Sequence, residues 1–125
     1  MSKAKKIKVC FEWVRKKPYI VYRKFSRKKD WPATYANDHF TRKGGDCHAD
    51  GAAMAYLARA LGFKNVYVCL DCNGIVAQGH CWAEINGRVY DPLFIEKGDA
   101  YKYYNGSYKH YELRPILHLK IAQGY

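Results

Sequence analysis

Apolar residues recur at three- and four-residue spacing near the start of the chain, where Ile7, Cys10 or Phe11, and Val14 stand among Lys5, Lys6, Lys8, Arg15 and Lys16. That period predicts an amphipathic helix over 3–17, stopped by Pro18. Residues 19–22 form a short apolar run of strand-forming types and give way to 23–30, where six of eight residues are charged. The polar stretch 23–45 reads as mostly loop, with a short helix around 33–40. The clearest helical signal is 46–61, dominated by Ala, Met and Leu, with Asp46 at the N-cap and Gly62 as the stop. Residues 65–70 and 79–85 alternate, and Asn86-Gly87 is a two-residue turn leading into 88–90, which predicts an antiparallel hairpin. Five tyrosines crowd 97–112 around Asn105-Gly106, and that stretch reads as loop. The alternation of Leu117, Leu119 and Ile121 predicts a last strand over 116–121. Together these elements predict an α+β fold without internal repeats.

A length of 125 residues admits a single domain. Within it, 1–45 is a basic helical and loop region, and 46–125 is the expected core that holds the candidate chemistry. Lys and Arg outnumber acidic residues 14 to 3 in 1–45 and match them 8 to 8 afterwards, so the whole net charge of +11 sits in the first third. No run of 18 apolar residues is present, which excludes a membrane-spanning helix, and no secretory apolar segment is found. The chain carries no address of its own, and two placements stay open: the cytosol, or a cell-surface module of a longer exported protein. The basic segment is interleaved with Trp13, Tyr19, Tyr22, Phe25 and Trp31, a combination that single-stranded nucleic acid binding uses. No nucleic-acid motif accompanies it, so the expected partner is an anionic protein, peptide or cell-wall polymer drawn by the positive field.

Five cysteines are an odd number, so at least one thiol stays outside any internal disulfide. Gly44-Gly45-Asp46-Cys47 leads straight into the predicted helix, so Cys47 faces unpaired backbone N–H groups and the positive end of the helix dipole. Helix N-termini lower a cysteine pKa, so Cys47 is expected to alkylate faster than the other thiols at about pH 6 to 7. By position alone it reads equally as a buried structural cysteine. Gly51 costs ~1 kcal/mol inside a helix and predicts that another element packs tightly there. In the hairpin, His80 and Asp91 fall near one another across the strands, and a carboxylate on one ring nitrogen leaves the other to take a thiol proton. Trp82 shares a strand face with His80, where it walls the cleft or fills the core, and Glu84 continues that face. His48 lies about 100° round the helix from Cys47 and reads as a surface residue. Cys69 and Cys72, with His80 and Cys81, raise a zinc site, but no second pair follows and neighbours on a strand point to opposite faces, so no metal and no organic cofactor is expected.

Three ordered motifs resemble the transglutaminase-like domains of the papain-like cysteine enzyme superfamily. They are Gly45-Asp46-Cys47 opening a helix that ends in Ala60-Leu61-Gly62, Gly79-His80 with Trp82 and Glu84, and Val89-Tyr90-Asp91-Pro92. The resemblance implies a cysteine-proteinase-like fold, a Cys-bearing helix packed on an antiparallel sheet that carries His and Asp. It also implies a triad in which Cys47 is the nucleophile, His80 the general base and acid, and Asp91 the orienting carboxylate. The second oxyanion donor, by the same resemblance, comes from upstream side chains such as Trp31 or Asn37. The expected reaction is acyl transfer on glutamine carboxamides or peptide amides through a thioester. Amide hydrolysis by the same residues is one alternative, and a non-catalytic module binding anionic polymer or nucleic acid is another.

Overall fold

The computed structural model describes residues 1–25, 28–72 and 79–121. Arg27, part of the basic run, lies outside the described residues. Helix α1 spans Lys3–Arg15, opened by Ser2, whose hydroxyl accepts the Lys5 N–H. It buries Ile7, Phe11 and Val14, the stripe predicted from the spacing, and ends two residues short of the expected limit. Helix α2 spans Trp31–Arg42, where a mostly looped segment with a helix over 33–40 was expected. Two features hid its length. Pro32 sits in the first turn, where its missing N–H costs nothing, and the buried face includes the polar residues Asp38 and His39, which interrupt the apolar period.

Helix α3, Cys47–Ala60, occupies the centre of the molecule. Asp46 caps it through the Ala49 N–H at 3.1 Å. Ala49, Ala52, Ala53, Met54, Ala55 and Ala58 are all buried, because α3 packs against α2 on one side and against α1 and the sheet on the other. The small side chains let backbones approach closely. At Gly51 a Cβ would stand 2.7 Å from the Cys81 sulfur and 3.1 Å from the Trp82 backbone, so a hydrogen is the only substituent the contact admits.

Five strands form one antiparallel sheet: β1 Val66–Leu70, β2 Cys81–Ile85, β3 Arg88–Tyr90, β4 Tyr104–Gly106 and β5 Leu117–Lys120, in the order β4-β3-β2-β1-β5. Between β3 and β4 run a 3₁₀ turn, Phe94–Lys97, and a short helix α4, Ala100–Tyr103, so the stretch 97–112, read as loop from sequence, holds a short helix and an edge strand. Three residues are too few for a visible alternation, and the β3–β4 pairing shifts register between Val89 and Tyr90. Alternation along β1 and β2 gives the sheet two faces. Val66, Val68, Leu70, Cys81, Ala83 and Ile85 join α1, α2 and α3 in one core. Cys69, Trp82 and Val89 join Tyr103, Tyr108, Tyr111 and Phe94 on the outer face. The basic N-terminal third therefore supplies two helices to the same core as the rest. Among the described residues, no helix is long and apolar enough to cross a membrane.

Candidate active site

Cys47 is the first residue of α3 and lines a cleft of 390 Å³ together with His80, His48, Tyr19, Arg23 and Lys24. One wall is the segment following Pro18. It is held to the helix entrance by the Ile20 N–H donating to the Gly45 carbonyl at 3.0 Å, and to α2 by Arg23, whose guanidinium grips both Asp38 oxygens at 2.8 Å. The Cys47 thiol donates to the Gly79 carbonyl at 3.8 Å, and the His48 Nδ1 also lies 3.8 Å from the sulfur.

His80 enters the same cleft at the head of β2. Its N–H donates to Asp71 Oδ1 at 2.7 Å, and its ring stacks on Phe94 with centroids 3.8 Å apart and planes 8° from parallel. Nε2 is 2.7 Å from Asp91 Oδ2. Asp91 is fully buried, yet its carboxylate is well supplied: Oδ1 accepts the N–H groups of Leu93 and Phe94 at 3.2 and 3.0 Å, and Oδ2 also accepts the Tyr111 hydroxyl at 2.6 Å. Asp91 thus starts the turn after β3, as an Asp-Pro pair does, and holds an imidazole as well. With Nε2 committed to the carboxylate, Nδ1 is the nitrogen left to exchange a proton.

Burial pushes the Cys47 thiol up to about 12 from an ordinary 9.0, and the Asp46 carboxylate adds in the same direction, while the Cys81 backbone pulls the other way. The direction is opposite to the lowered value expected at a helix N-terminus, and its leading cause is desolvation of a residue only 9% exposed. A resting thiol of this kind becomes a nucleophile only when a neighbouring base takes its proton. Burial, followed by the Asp91 charge, pushes the Tyr111 phenol far up as well, so it stays a donor to the carboxylate.

Other expected positions fall elsewhere. Asn37 is exposed on α2 and lines a separate apolar hollow with Ala36, Phe40, Tyr56 and Leu57. Trp31 is buried against Phe25, Tyr35 and the His48 ring and does not line the Cys47 cleft. Neither is placed to meet an oxyanion beside the sulfur. Trp82 is wholly buried, with its indole N–H donating to Tyr108 at 3.0 Å, so it is a core residue that also backs the His80 ring. His48 corrects another expectation. It is buried, stacked on Phe25 at 4.3 Å, and 3.5 Å from Asp46 Oδ2, because the segment after Pro18 folds over the helix face that counting alone leaves in solvent. Cys69 and Cys81 face opposite sides of the sheet, as strand geometry requires. Reasoning from sequence missed Tyr111, Phe94 and Asp71. Phe94 stands three residues after Asp91, but Tyr111 was one of five similar tyrosines with nothing local to single it out. No protein-family model, curated protein or solved structure matches this chain.

Proposed function

We propose that the protein is a thiol enzyme of transglutaminase-like, cysteine-proteinase-like type that performs acyl transfer on glutamine carboxamides or peptide amide bonds. The observation that supports this reading is that a helix-opening cysteine and an aspartate-held imidazole line one cleft. In the first step Cys47 attacks the carbonyl carbon while His80 Nδ1 takes the thiol proton, and charge moves to the carbonyl oxygen beside the first-turn N–H of Cys47. As that charge returns, the C–N bond breaks and the proton on His80 leaves with ammonia or the amine, giving a thioester. An incoming amine or water then attacks the thioester, gives its proton to His80, and releases the amide or acid together with the regenerated thiol. Asp91 keeps the ring in the tautomer this cycle needs. Arg23 and Lys24 at the rim favour a protein or peptide substrate that carries acidic residues.

A binding module of the same architecture is the second reading, and it draws on the burial and raised pKa of the thiol. Incubation with a glutamine peptide and a fluorescent amine, with and without Cys47→Ala, decides between the readings by mass spectrometry. Amine incorporation that depends on Cys47 makes it a transferase; cleavage or deamidation makes it a hydrolase. No product from protein with an intact thiol removes the enzyme reading.

A further inference from the structure

The outer face of the sheet gathers a second set of polar side chains, remote in sequence and away from the Cys47 cleft. Cys69 of β1 pairs in register with His118 of β5 on one side and with Trp82 of β2 on the other, and Glu84 lies two residues beyond Trp82. Alternation turns all of them to one face. The Cys69 sulfur, a Glu84 oxygen and a His118 ring nitrogen lie within 4.8 Å of one another, and among the described residues no other three His, Cys, Asp or Glu side chains converge in this way. Cys69 is fully buried, whereas the His118 side chain, on the edge strand, is 39% exposed, so the group opens to solvent on one side.

Each donor is held in place. Glu84 Oε1 accepts the Tyr108 hydroxyl at 2.7 Å, and that hydroxyl in turn accepts the Trp82 indole N–H at 3.0 Å. The His118 ring stacks on Tyr67 with centroids 3.7 Å apart and planes 9° from parallel, and its Nε2 is 2.9 Å from Glu84 Oε2. A catalytic relay places its imidazole between sulfur and carboxylate; here all three donor atoms lie within 4.8 Å of one another. One sulfur, one imidazole nitrogen and one carboxylate oxygen are the donor types zinc takes. Bonds of ~2.0 to 2.3 Å in a tetrahedron set donors roughly 3.3 to 3.8 Å apart, within the span observed.

We propose that Cys69, Glu84 and His118 form a zinc-binding site, with the fourth tetrahedral position on the solvent side. Binding exchanges the His118–Glu84 hydrogen bond for two bonds to the metal. The Cys69 thiol gives its proton to solvent, so one thiolate and one carboxylate balance the two positive charges. The ion fastens the edge strand β5 to β1 and β2. This site stands independently of any chemistry at Cys47.

Titration of the full chain carrying Cys47→Ala with cobalt chloride tests the proposal, since removing that thiol removes the competing sulfur of the cleft. One equivalent of cobalt should give a near-ultraviolet thiolate-to-metal band and visible tetrahedral bands, and one equivalent of zinc chloride should displace it. Adding Cys69→Ala should abolish the thiolate band. Adding His118→Ala, a change on the exposed edge strand, should weaken zinc at least tenfold and remove the rise in unfolding temperature that zinc gives. Tyr108→Phe should weaken zinc by about 10- to 100-fold. The proposal is overturned if no thiolate band forms, if the band survives Cys69→Ala, or if His118→Ala binds zinc as tightly as its parent. Should Cys69→Ala fail to fold, the His118→Ala affinity decides alone.

Discussion

Two imidazole–carboxylate units on the outer face of this sheet are built from the same parts. In each, a tyrosine hydroxyl donates to the carboxylate, an aromatic ring stacks on the imidazole, and a cysteine lies nearby: Tyr111, Phe94 and Cys47 for His80–Asp91, and Tyr108, Tyr67 and Cys69 for His118–Glu84. What differs is the order of the groups. His80 has one nitrogen tied to a fully buried carboxylate and belongs to the wall of a cleft, whereas Cys69 and Glu84 both crowd against His118 at an open edge. On the two proposals above, similar residues serve proton transfer in one arrangement and cation binding in the other. A third pair, His39 and Asp50, is sealed between α2 and α3 with 3.1 Å between Nε2 and Oδ1, and it reaches neither cleft nor edge.

The largest effect that separates these units should come from His80→Ala, which is expected to lower kcat/KM for amine incorporation by ~10² to 10⁴-fold. A loss below tenfold would remove the distinction drawn for His80. Iodoacetamide supplies the next contrast. In wild type burial pushes the Cys47 thiol up to about 12, and the variant lacks the imidazole assigned to take its proton. Its alkylation should be slower than in wild type at pH 7 and should keep rising with pH up to pH 9; a plateau in that range would mean that burial does not control the sulfur.

Smaller and more structural is Tyr111→Phe, which takes one of four donors from a buried carboxylate and should cost about 1 to 3 kcal/mol in urea unfolding. It should also shift the pH profile of acyl transfer, a readout that mere loosening of the core would leave in place. The effect confined to the narrowest pH window belongs to the sealed pair. Burial pushes Asp50 up to about 6 from 3.8, with His39 pulling back. Between these values the folded chain keeps a proton that the unfolded chain has shed. The stability that Asp50 contributes is therefore full below about pH 4 and is lost as pH rises through 6. The urea midpoint of wild type relative to Asp50→Asn should fall across that window, and a flat difference would count against the shift.

Much of the frame was legible because it obeys local rules. Asp46 and Gly62 bracket α3, and Asn86-Gly87 closes the hairpin whose register brings His80 and Asp91 together. Gly51 pointed correctly to a tight crossing. The rest depends on long-range folding. His48 is covered only because the chain after Pro18 returns over it, and Asn37 falls on the wrong side of a helix longer than its apolar pattern suggested. Tyr111 reaches Asp91 from 20 residues away, and His118 reaches Glu84 from 34. No spacing rule encodes such separations, and only the folded path of the chain brings them side by side.

The crossing at Gly51 has a consequence for how sequences sharing this scaffold can diverge. Helix and central strand touch there through a hydrogen, a sulfur and the backbone of Trp82. A methyl at position 51 needs something smaller at 81 or a lifted helix, and lifting the helix carries Cys47 away from the strand that bears His80. Positions 51 and 81 are thus expected to change in concert, a pairing that aligned relatives would record as a correlated exchange.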